Sequence, residues 1–201
     1  MESMFLPLVE DFYTLQGEGR YTGQAAYFIR LGGCDVGCKW CDAKVTWNAA
    51  NAPMTSVDEI VKRATSCPAK NIVITGGEPT LYDLSELTEK LHEKGMKIFI
   101  ETSGTNPLVG HFDWVCLSPK RQEEPLEEVF GRASELKVII SSREDIDFAE
   151  RCAQRVPSST LLYLQNEWSV RKEMMPIIAQ YIMDNPKWRM SLQSHKYVGI
   201  P

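Results

Sequence analysis

The chain has 201 residues, of which 43% are hydrophobic and 24% charged, a composition typical of a globular protein with a sizeable core. Its net charge is −5 and it has no dense run of Lys and Arg, which argues against a nucleic-acid partner because such proteins need a basic face for the phosphates. The N-terminal sequence lacks the basic start and apolar core of a signal peptide, and no apolar run reaches membrane-spanning length. We therefore expect a cytoplasmic protein with no membrane partner.

The first quarter of the chain predicts two strands followed by a long loop. Residues 9–14 and 25–31 have the composition of strands. Between them, residues 15–19 (Leu-Gln-Gly-Glu-Gly) predict a turn, where glycine permits either a plain hairpin or a close approach to a ligand. Residues 32–55 show no apolar periodicity, and loops of that length in compact proteins are usually functional or disordered.

The rest of the chain predicts strands that alternate with helices. Helices are predicted after a capping box at Ser56 and Glu59, around leucines 84, 87 and 91, at residues 125–130, from a Ser142–Asp145 cap to about Arg155, and at residues 170–183. Strands are predicted at residues 71–75, 97–100, 114–117, 136–140, 161–164 and 188–192. Because strands joined by helical crossovers run parallel, we predict a single α/β domain over residues 1–201 with a mostly parallel sheet. The strand–helix units are too few for an eight-fold barrel, so a partial, open barrel fits.

Polar residues recur directly after the predicted strands. They are Gly-Gly-Glu-Pro at 76–79, Glu-Thr-Ser-Gly at 101–104, Ser-Pro-Lys at 118–120, Gln-Asn at 165–166 and Gln-Ser-His at 193–195. In parallel α/β folds, ligands bind at the carboxyl edge of the sheet because the loops converge there. The sequence therefore predicts one ligand site at that edge.

Three of the six cysteines, Cys34, Cys38 and Cys41, lie in the long loop at the spacing C-x3-C-x2-C. In a reducing compartment, clustered cysteines are more often metal ligands than disulfides. A structural zinc site closes with four protein ligands, whereas a [4Fe–4S] cluster held by three cysteines keeps one iron free for another ligand. Spacing alone leaves open a zinc site completed by a distant Cys or His. The other three cysteines are scattered and are predicted to pack structurally.

The cysteine loop resembles the cluster motif of radical S-adenosylmethionine (SAM) enzymes, with Trp40 just before the last cysteine. Residues 15–19, Trp-Cys-Asp at 40–42, Thr-Trp at 46–47, Gly-Gly-Glu-Pro at 76–79 and the final His-Lys-x-x-Gly-x-Pro are similar to 7-carboxy-7-deazaguanine synthases. This resemblance extends over nearly the whole chain. It implies a reduced TIM-like radical SAM barrel, with the cluster loop at residues 32–48. It also implies a lyase that converts 6-carboxy-5,6,7,8-tetrahydropterin to 7-carboxy-7-deazaguanine by radical ring contraction with loss of ammonia, in queuosine-type 7-deazapurine biosynthesis.

The resemblance also implies cofactors, partners and residue roles. Cys34, Cys38 and Cys41 would ligate the [4Fe–4S] cluster, and SAM would bind its open iron. Reduction by a donor such as flavodoxin or ferredoxin would then yield a 5′-deoxyadenosyl radical, and a homodimer is expected. The SAM-binding residues it implies are Lys39, Trp40, Cys41, Asp42, Gly77, Glu78, Ser103, Ser118, Pro119, Lys120 and Gln165. The implied substrate-binding residues are Leu15, Gln16, Gly17, Glu18, Arg30, Thr75, Gly76, His195 and Pro201. It names no further catalytic side chain.

One position departs from the family pattern. Family members commonly carry a hydroxyl residue that reaches Mg²⁺ after the last Cys-Asp pair, but this chain has Ala43. Mg²⁺ is readily held by waters and substrate oxygens, so we expect any Mg²⁺ site to lack a side-chain ligand from this position, with Thr46 as an alternative donor. Ala43 is also compatible with weak metal dependence or with a related substrate.

Two other functions share part of the pattern. A radical SAM activase, which makes a glycyl radical on a partner protein, has the cluster motif but neither Leu-Gln-Gly-Glu-Gly nor the terminal motif. A non-catalytic zinc-binding module is the second alternative. Colour distinguishes it, because an iron–sulfur protein purified without oxygen is brown and a zinc protein is colourless.

Overall fold

A computed structural model describes residues 3–201 of the chain, and within that range it contains one nine-stranded sheet and six α-helices. The strands are β1 Phe5–Leu15, β2 Ala25–Leu31, β3 Met54–Ser56, β4 Asn71–Gly76, β5 Lys97–Thr102, β6 Trp114–Leu117, β7 Glu135–Ile140, β8 Leu161–Asn166 and β9 Trp188–Ser191. The helices are α1 Val57–Ala64, α2 Ser85–Glu93, α3 Glu127–Arg132, α4 Glu144–Ala153, α5 Arg171–Asp184 and α6 Ser194–Val198. No helix in this described range is both long and apolar enough to cross a membrane.

The strands lie in the order β3-β1-β2-β4-β5-β6-β7-β8-β9. From β2 through β9 every neighbouring pair is parallel, whereas β1 pairs antiparallel with both β2 and β3. The prediction of an α/β fold with a mostly parallel sheet is therefore confirmed. In the described residues β9 pairs only with β8, so the sheet forms an open, partial barrel rather than a closed one.

The two faces of the sheet have different environments, as β7 illustrates. Leu136, Val138 and Ile140 belong to the main hydrophobic core, which packs against the helices. Glu135 and Lys137 alternate with them and therefore point to the opposite, interior face of the sheet. The strand thus carries charged groups into the barrel while its other face is anchored by apolar burial.

The amino-terminal half of the barrel interior is filled by aromatic and apolar side chains. Tyr21, from the loop after β1, stacks on Phe99 with the ring centroids 4.5 Å apart and meets Trp114 edge-on at 5.1 Å. Val73 and Ala26 complete this small second core. This packing fills the amino-terminal half, and the large cavity opens toward the carboxyl ends of the strands.

Most predicted elements are present, with three differences. The short strand β3 and the terminal helix α6 were not predicted, because neither is long enough to show a period. The helix α1 does begin at a Ser56 cap, whose side chain accepts a hydrogen bond from the Glu59 backbone. The Ser142 cap, however, is wrong. The Asp145 carboxylate instead accepts hydrogen bonds from the backbone N–H groups of Ser141 and Ser142 at 2.8 and 2.9 Å.

The burial of helix residues predicts that alanine substitutions at two of them differ in their effect on the free energy of unfolding. Leu91 in α2 is fully buried, whereas Met183 in α5 is 69% exposed. Leu91→Ala should lower the free energy of unfolding by about 2–5 kcal/mol, because it removes packed methyl groups and leaves a cavity. Met183→Ala should change it by less than about 0.5 kcal/mol. Urea unfolding followed by circular dichroism measures both, and equal losses would contradict the assigned core.

Candidate functional site

A cavity of about 480 Å³ opens at the carboxyl ends of the parallel strands. The interior-facing side chains Arg30, Thr75, Glu101, Lys137 and Gln165 line it from five different strands. The loop after β1, the cysteine loop (residues 32–48) and the terminal segment after β9 form the other walls. The polar segments that follow the strands in the sequence therefore do meet at one edge of the sheet.

The loop after β1 docks on helix α6 through a glycine. The Gly17 carbonyl accepts hydrogen bonds from the backbone N–H and the hydroxyl of Ser194, at 2.9 and 3.0 Å. A Cβ atom on Gly17 would lie 2.1 Å from Nδ1 of His195, so a side chain at this position would displace the imidazole. Glycine at position 17 thus allows His195 to lie against the loop at the cavity wall.

The entrance of the cysteine loop is held against the strand-to-loop corner that follows β4. The Glu78 backbone N–H donates to the Gly33 carbonyl at 2.8 Å, and the Gly77 N–H donates to the Leu31 carbonyl at 3.0 Å. A Cβ atom on Gly77 would lie 2.1 Å from the Gly33 oxygen and 2.8 Å from Cβ of Cys34. The close backbone approach therefore requires glycine at position 77.

The thiols of Cys34, Cys38 and Cys41 all line the cavity and are free of disulfides. Cys38 is buried and its sulfur accepts a hydrogen bond from the Gln122 side chain at 3.1 Å, while the Cys41 sulfur accepts from the Ala43 N–H at 3.4 Å. Within residues 3–201, no three His, Cys, Asp or Glu side chains are gathered closely enough to hold one metal ion. A [4Fe–4S] cluster binds each thiolate at a different iron, so a wider set of three cysteines on one cavity wall fits it.

Glu78 is a buried carboxylate whose hydrogen bonds join two of the loops. It is 1% exposed, and its two oxygens accept hydrogen bonds from the hydroxyls of Thr80, Thr102 and Ser103 at 2.5–2.6 Å. The backbone N–H groups of Thr80 and Ser103 donate to it as well. Glu78 thus orients Ser103 and the segment after β5 rather than presenting a free carboxylate to the cavity.

Lys120 supplies a positive charge near the cysteine loop. Its Nζ donates to the Ser118 carbonyl at 2.6 Å and to the Ser118 hydroxyl at 2.7 Å, and it lies 5.6 Å from the centre of the Trp40 ring. Burial lowers the pKa of Lys120. These contacts place an ammonium group, a hydroxyl and an aromatic face next to one another.

A buried ion cluster, formed by Lys137, Glu18 and Glu101, makes up the floor of the cavity. The Lys137 Nζ lies 2.5 Å from a Glu18 carboxylate oxygen and 2.7 Å from a Glu101 carboxylate oxygen. Burial alone would raise the pKa of Glu18, but the Lys137 ammonium outweighs it and holds the pKa at about 2. We refer to these three residues as the cavity floor.

The terminal segment contributes a second set of polar contacts. Lys196 donates to the Asp42 carboxylate at 2.6 Å, and Gln193 donates to the Glu18 carboxylate at 3.0 Å. Burial would raise the pKa of Asp42, but its hydrogen bond to Lys196 prevails and lowers it. The terminal segment therefore connects the cavity floor to the cysteine loop.

Most residues predicted for SAM and substrate lie on this one cavity. Those that line it are Leu15, Gln16, Gly17, Glu18, Arg30, Trp40, Cys41, Asp42, Thr75, Gly76, Gly77, Glu78, Ser103, Ser118, Lys120, Gln165, His195 and Pro201. Lys39 is exposed and Pro119 is buried, and neither lines it. Thr46 is fully buried and donates its hydroxyl to the Ala43 carbonyl at 2.7 Å, so it does not face the cavity either.

Sequence reasoning missed Lys137, and it included Glu101 in a strand-end motif without giving it a role. Lys137 lies between apolar residues of a strand, and a charged residue in such a strand indicates that its side chain points into a polar site. Trp168 also lines the cavity and had no comparable signal, whereas the strand-end and family motifs contained Gln193, Lys196 and Trp47 without assigning them a role. The Nε1 of Trp47 is buried without a hydrogen-bond partner among the described residues, and a bound group with acceptor atoms would satisfy it.

Comparisons with known proteins find relatives over nearly the whole chain. The sequence profile of the radical SAM superfamily matches residues 28–117. A 7-carboxy-7-deazaguanine synthase of Flavobacterium psychrophilum is 55% identical over 98% of this chain and 93% of its own length. A protein of the same name from Synechocystis sp. is 47% identical over 96% of this chain and 93% of its own length. The crystal structure of QueE from Escherichia coli is similar with a TM-score of 0.85 and 32% identity, covering 95% of each chain.

The contact between Gly77 and Gly33 predicts that Gly77→Ala disturbs the cysteine loop. The added methyl group would have to push back the Gly33 carbonyl, at a cost of about 1–3 kcal/mol in the free energy of unfolding. The iron bound per chain after anaerobic reconstitution should fall. Gly131→Ala is the matched control, because its Cβ would meet no atom within 4 Å. If Gly77→Ala and Gly131→Ala retained equal iron and stability, the proposed contact would be wrong.

Proposed function

The chain belongs to the 7-carboxy-7-deazaguanine synthase family of radical SAM enzymes, and we propose that the cavity at the carboxyl edge is where its substrate, SAM and cluster meet. The enzyme is a lyase of 7-deazapurine biosynthesis that uses a [4Fe–4S] cluster and SAM. It converts 6-carboxy-5,6,7,8-tetrahydropterin to 7-carboxy-7-deazaguanine and ammonia. The two products together contain all the atoms of the substrate. The observation that carries this proposal is that the three cysteine thiols line the same cavity as the charged floor.

The proposed division of labour follows from the walls of the cavity. Cys34, Cys38 and Cys41 would hold the cluster, and the cluster and SAM, when bound, supply the one-electron chemistry that begins the reaction. The protein positions SAM and substrate next to each other and excludes water. For SAM, the backbone at Gly77 and the ammonium of Lys120 are proposed contacts, because the first has no side chain and the second suits a carboxylate.

The proposed substrate contacts come from the strands, the loop after β1 and the terminal segment. Arg30 lies at the end of β2 and donates through Nε to Glu10 at 2.7 Å. Its terminal nitrogens form no hydrogen bond with the described residues, so they remain available for the carboxylate of the pterin. The cavity floor, Thr75 and His195 would contact the ring system. Burial lowers the pKa of His195, which favours its neutral form near pH 7.

Several further features belong to the proposal and rest mainly on the family resemblance. The chain would act as a single radical SAM domain over residues 1–201, which its one continuous sheet supports. A homodimer, a cytoplasmic location and a reductant of the flavodoxin or ferredoxin type are proposed on the same resemblance. Mg²⁺, where it acts, would be held by water and substrate oxygens, because Ala43 has no donor and the Thr46 hydroxyl is engaged.

The two alternatives fit the cavity less well. A volume of about 480 Å³ is that of a small-molecule site, and an activase needs a surface that accepts a protein segment. A zinc module needs a fourth protein ligand beside the three cysteines, and it gives no role to the charged floor of the same cavity. Full-length relatives of 55% and 47% identity carry the name of the small-molecule synthase.

An anaerobic turnover tests the proposed function. The reconstituted protein, given SAM, a strong reductant, Mg²⁺ and 6-carboxytetrahydropterin, should form 7-carboxy-7-deazaguanine, detected by mass spectrometry. Cys38→Ala should abolish the product because the cluster loses one of its three ligands. Cys67→Ala, outside the cavity, should retain it. Accumulation of 5′-deoxyadenosine without the deazaguanine would show that the substrate assignment is wrong.

The side chains near Ala43 predict weak dependence on Mg²⁺. Removing Mg²⁺ with a chelator should change kcat/KM by less than about threefold, because neither Ala43 nor Thr46 offers a ligand. Ala43→Thr restores a hydroxyl at the position where family members commonly have one, and it should make the activity more dependent on Mg²⁺. A loss of roughly tenfold or more in the wild-type protein would contradict this prediction.

A further inference from the structure

The three members of the cavity floor differ in their access to the cavity. The Lys137 side chain is 4% exposed, whereas the side chains of Glu18 and Glu101 are 17% and 21% exposed. The lysine therefore lies behind the two carboxylates. Two of the three N–H bonds of its ammonium are directed at Glu18 and Glu101, so little of the group is left to meet a ligand.

The carboxylates, by contrast, keep acceptor capacity that faces the cavity. Each ionised carboxylate has about four lone-pair directions. Glu18 uses its oxygens for Lys137 and Gln193, and Glu101 uses its own for Lys137 and Gln16. As both side chains also line the cavity, each has acceptor positions available for donors on a bound molecule.

Electrostatics explains why the lysine is needed. The two carboxylates approach the same ammonium, and without that cation they would repel each other, which would favour a proton on Glu18. Burial by itself raises the pKa of Glu18, and Lys137 reverses that effect. Burial likewise would lower the pKa of Lys137, but the acidic groups around it raise that pKa well above its usual value. The other titratable groups facing this cluster are Cys116, Glu135, His195, Asp42 and Lys120.

We infer that Lys137 is a positioning residue that holds the carboxylates of Glu18 and Glu101 in place and keeps Glu18 ionised, so that the cavity floor presents hydrogen-bond acceptors to the substrate. The inference rests on the proposed function and deepens it. A molecule whose edge carries N–H donors, such as the amino-pyrimidinone edge of a pterin, satisfies such a floor. A molecule that presents carbonyl oxygens at the same positions places its acceptors against the carboxylate oxygens of the floor, without a hydrogen bond, and therefore binds weakly.

The inference predicts selective binding by the wild-type protein. The oxidised analogue 6-carboxypterin should bind, and lumazine-6-carboxylate, which has a carbonyl in place of the amino group, should bind on the order of a hundredfold more weakly. Equilibrium binding to the reconstituted protein with SAM, followed by ligand fluorescence, measures both. Equal affinities would overturn the inference. Because this experiment uses only the wild-type protein, its result does not depend on whether a variant folds.

Replacing the lysine tests the electrostatic part. Lys137→Met should weaken 6-carboxypterin binding on the order of tenfold near pH 7 and reduce the discrimination against lumazine-6-carboxylate, because a protonated carboxyl also donates. Binding should recover as the pH rises from 6.5 to 7.5, since the carboxyl loses its proton while the pterin keeps its N–H donors. The wild-type protein should show no such recovery, because the pKa of Glu18 is about 2 and that of His195 is lowered by burial.

Two further variants separate this role from a structural one. Lys137→Arg keeps the positive charge, so its binding should not recover with rising pH. Lys90→Met is the matched control, because Lys90 makes the same kind of double contact, with Asp58 and Glu86, on the protein surface. It should leave binding unchanged at every pH.

The outcomes distinguish failure of this inference from failure of the proposed function. If the wild-type protein binds no 6-carboxypterin and forms no deazaguanine, the proposed function fails. If it does both, but Lys137→Met binds as the wild type does or is weakened equally at all pH values, only the role of Lys137 is overturned. A purely structural role would lower the stability of Lys137→Met without the recovery of binding as the pH rises.

Discussion

The ammonium of Lys137 lies between two carboxylates inside the barrel, and the site depends on this buried ion cluster. Lysine is rarely buried to this degree without a partner, and leaving it unpaired would cost several kcal/mol. The contacts join β7 to β5 and to the loop after β1. That loop in turn carries Gly17, on which helix α6 docks. The cluster thus sets the relative positions of the strands, the loop and the terminal segment that surround one cavity.

A second constraint is the contact of two backbone segments across Gly77 and Gly33. It fixes where the cysteine loop leaves β2, and so where the thiols lie relative to the carboxyl ends of the strands. Glu78, the next residue, then ties this corner to the segment after β5 with hydrogen bonds. These contacts shape the part of the cavity beside the cysteine loop, where we propose that the cluster and SAM bind, and the cavity floor is the part that we propose for the pterin.

The order of strands and helices was predictable from the sequence because apolar runs, Gly and capping residues mark it locally. The cysteine spacing and the strand-end motifs likewise identified most of the cavity walls. The ion cluster was not predicted, because Glu18, Glu101 and Lys137 come together only through the sheet order β5-β6-β7 and the bend of the loop after β1. Short elements such as α6 depend on tertiary contacts, here with Gly17, that no local pattern contains.

A crystal structure of the reconstituted enzyme with SAM and 6-carboxypterin tests the central claim most directly. We expect the donor edge of the pterin about 3 Å from oxygens of Glu18 and Glu101, with Lys137 behind them and out of contact with the ring. We also expect the cluster on Cys34, Cys38 and Cys41 in the same cavity. A pterin bound elsewhere, or one whose donors face away from both carboxylates, would contradict this claim.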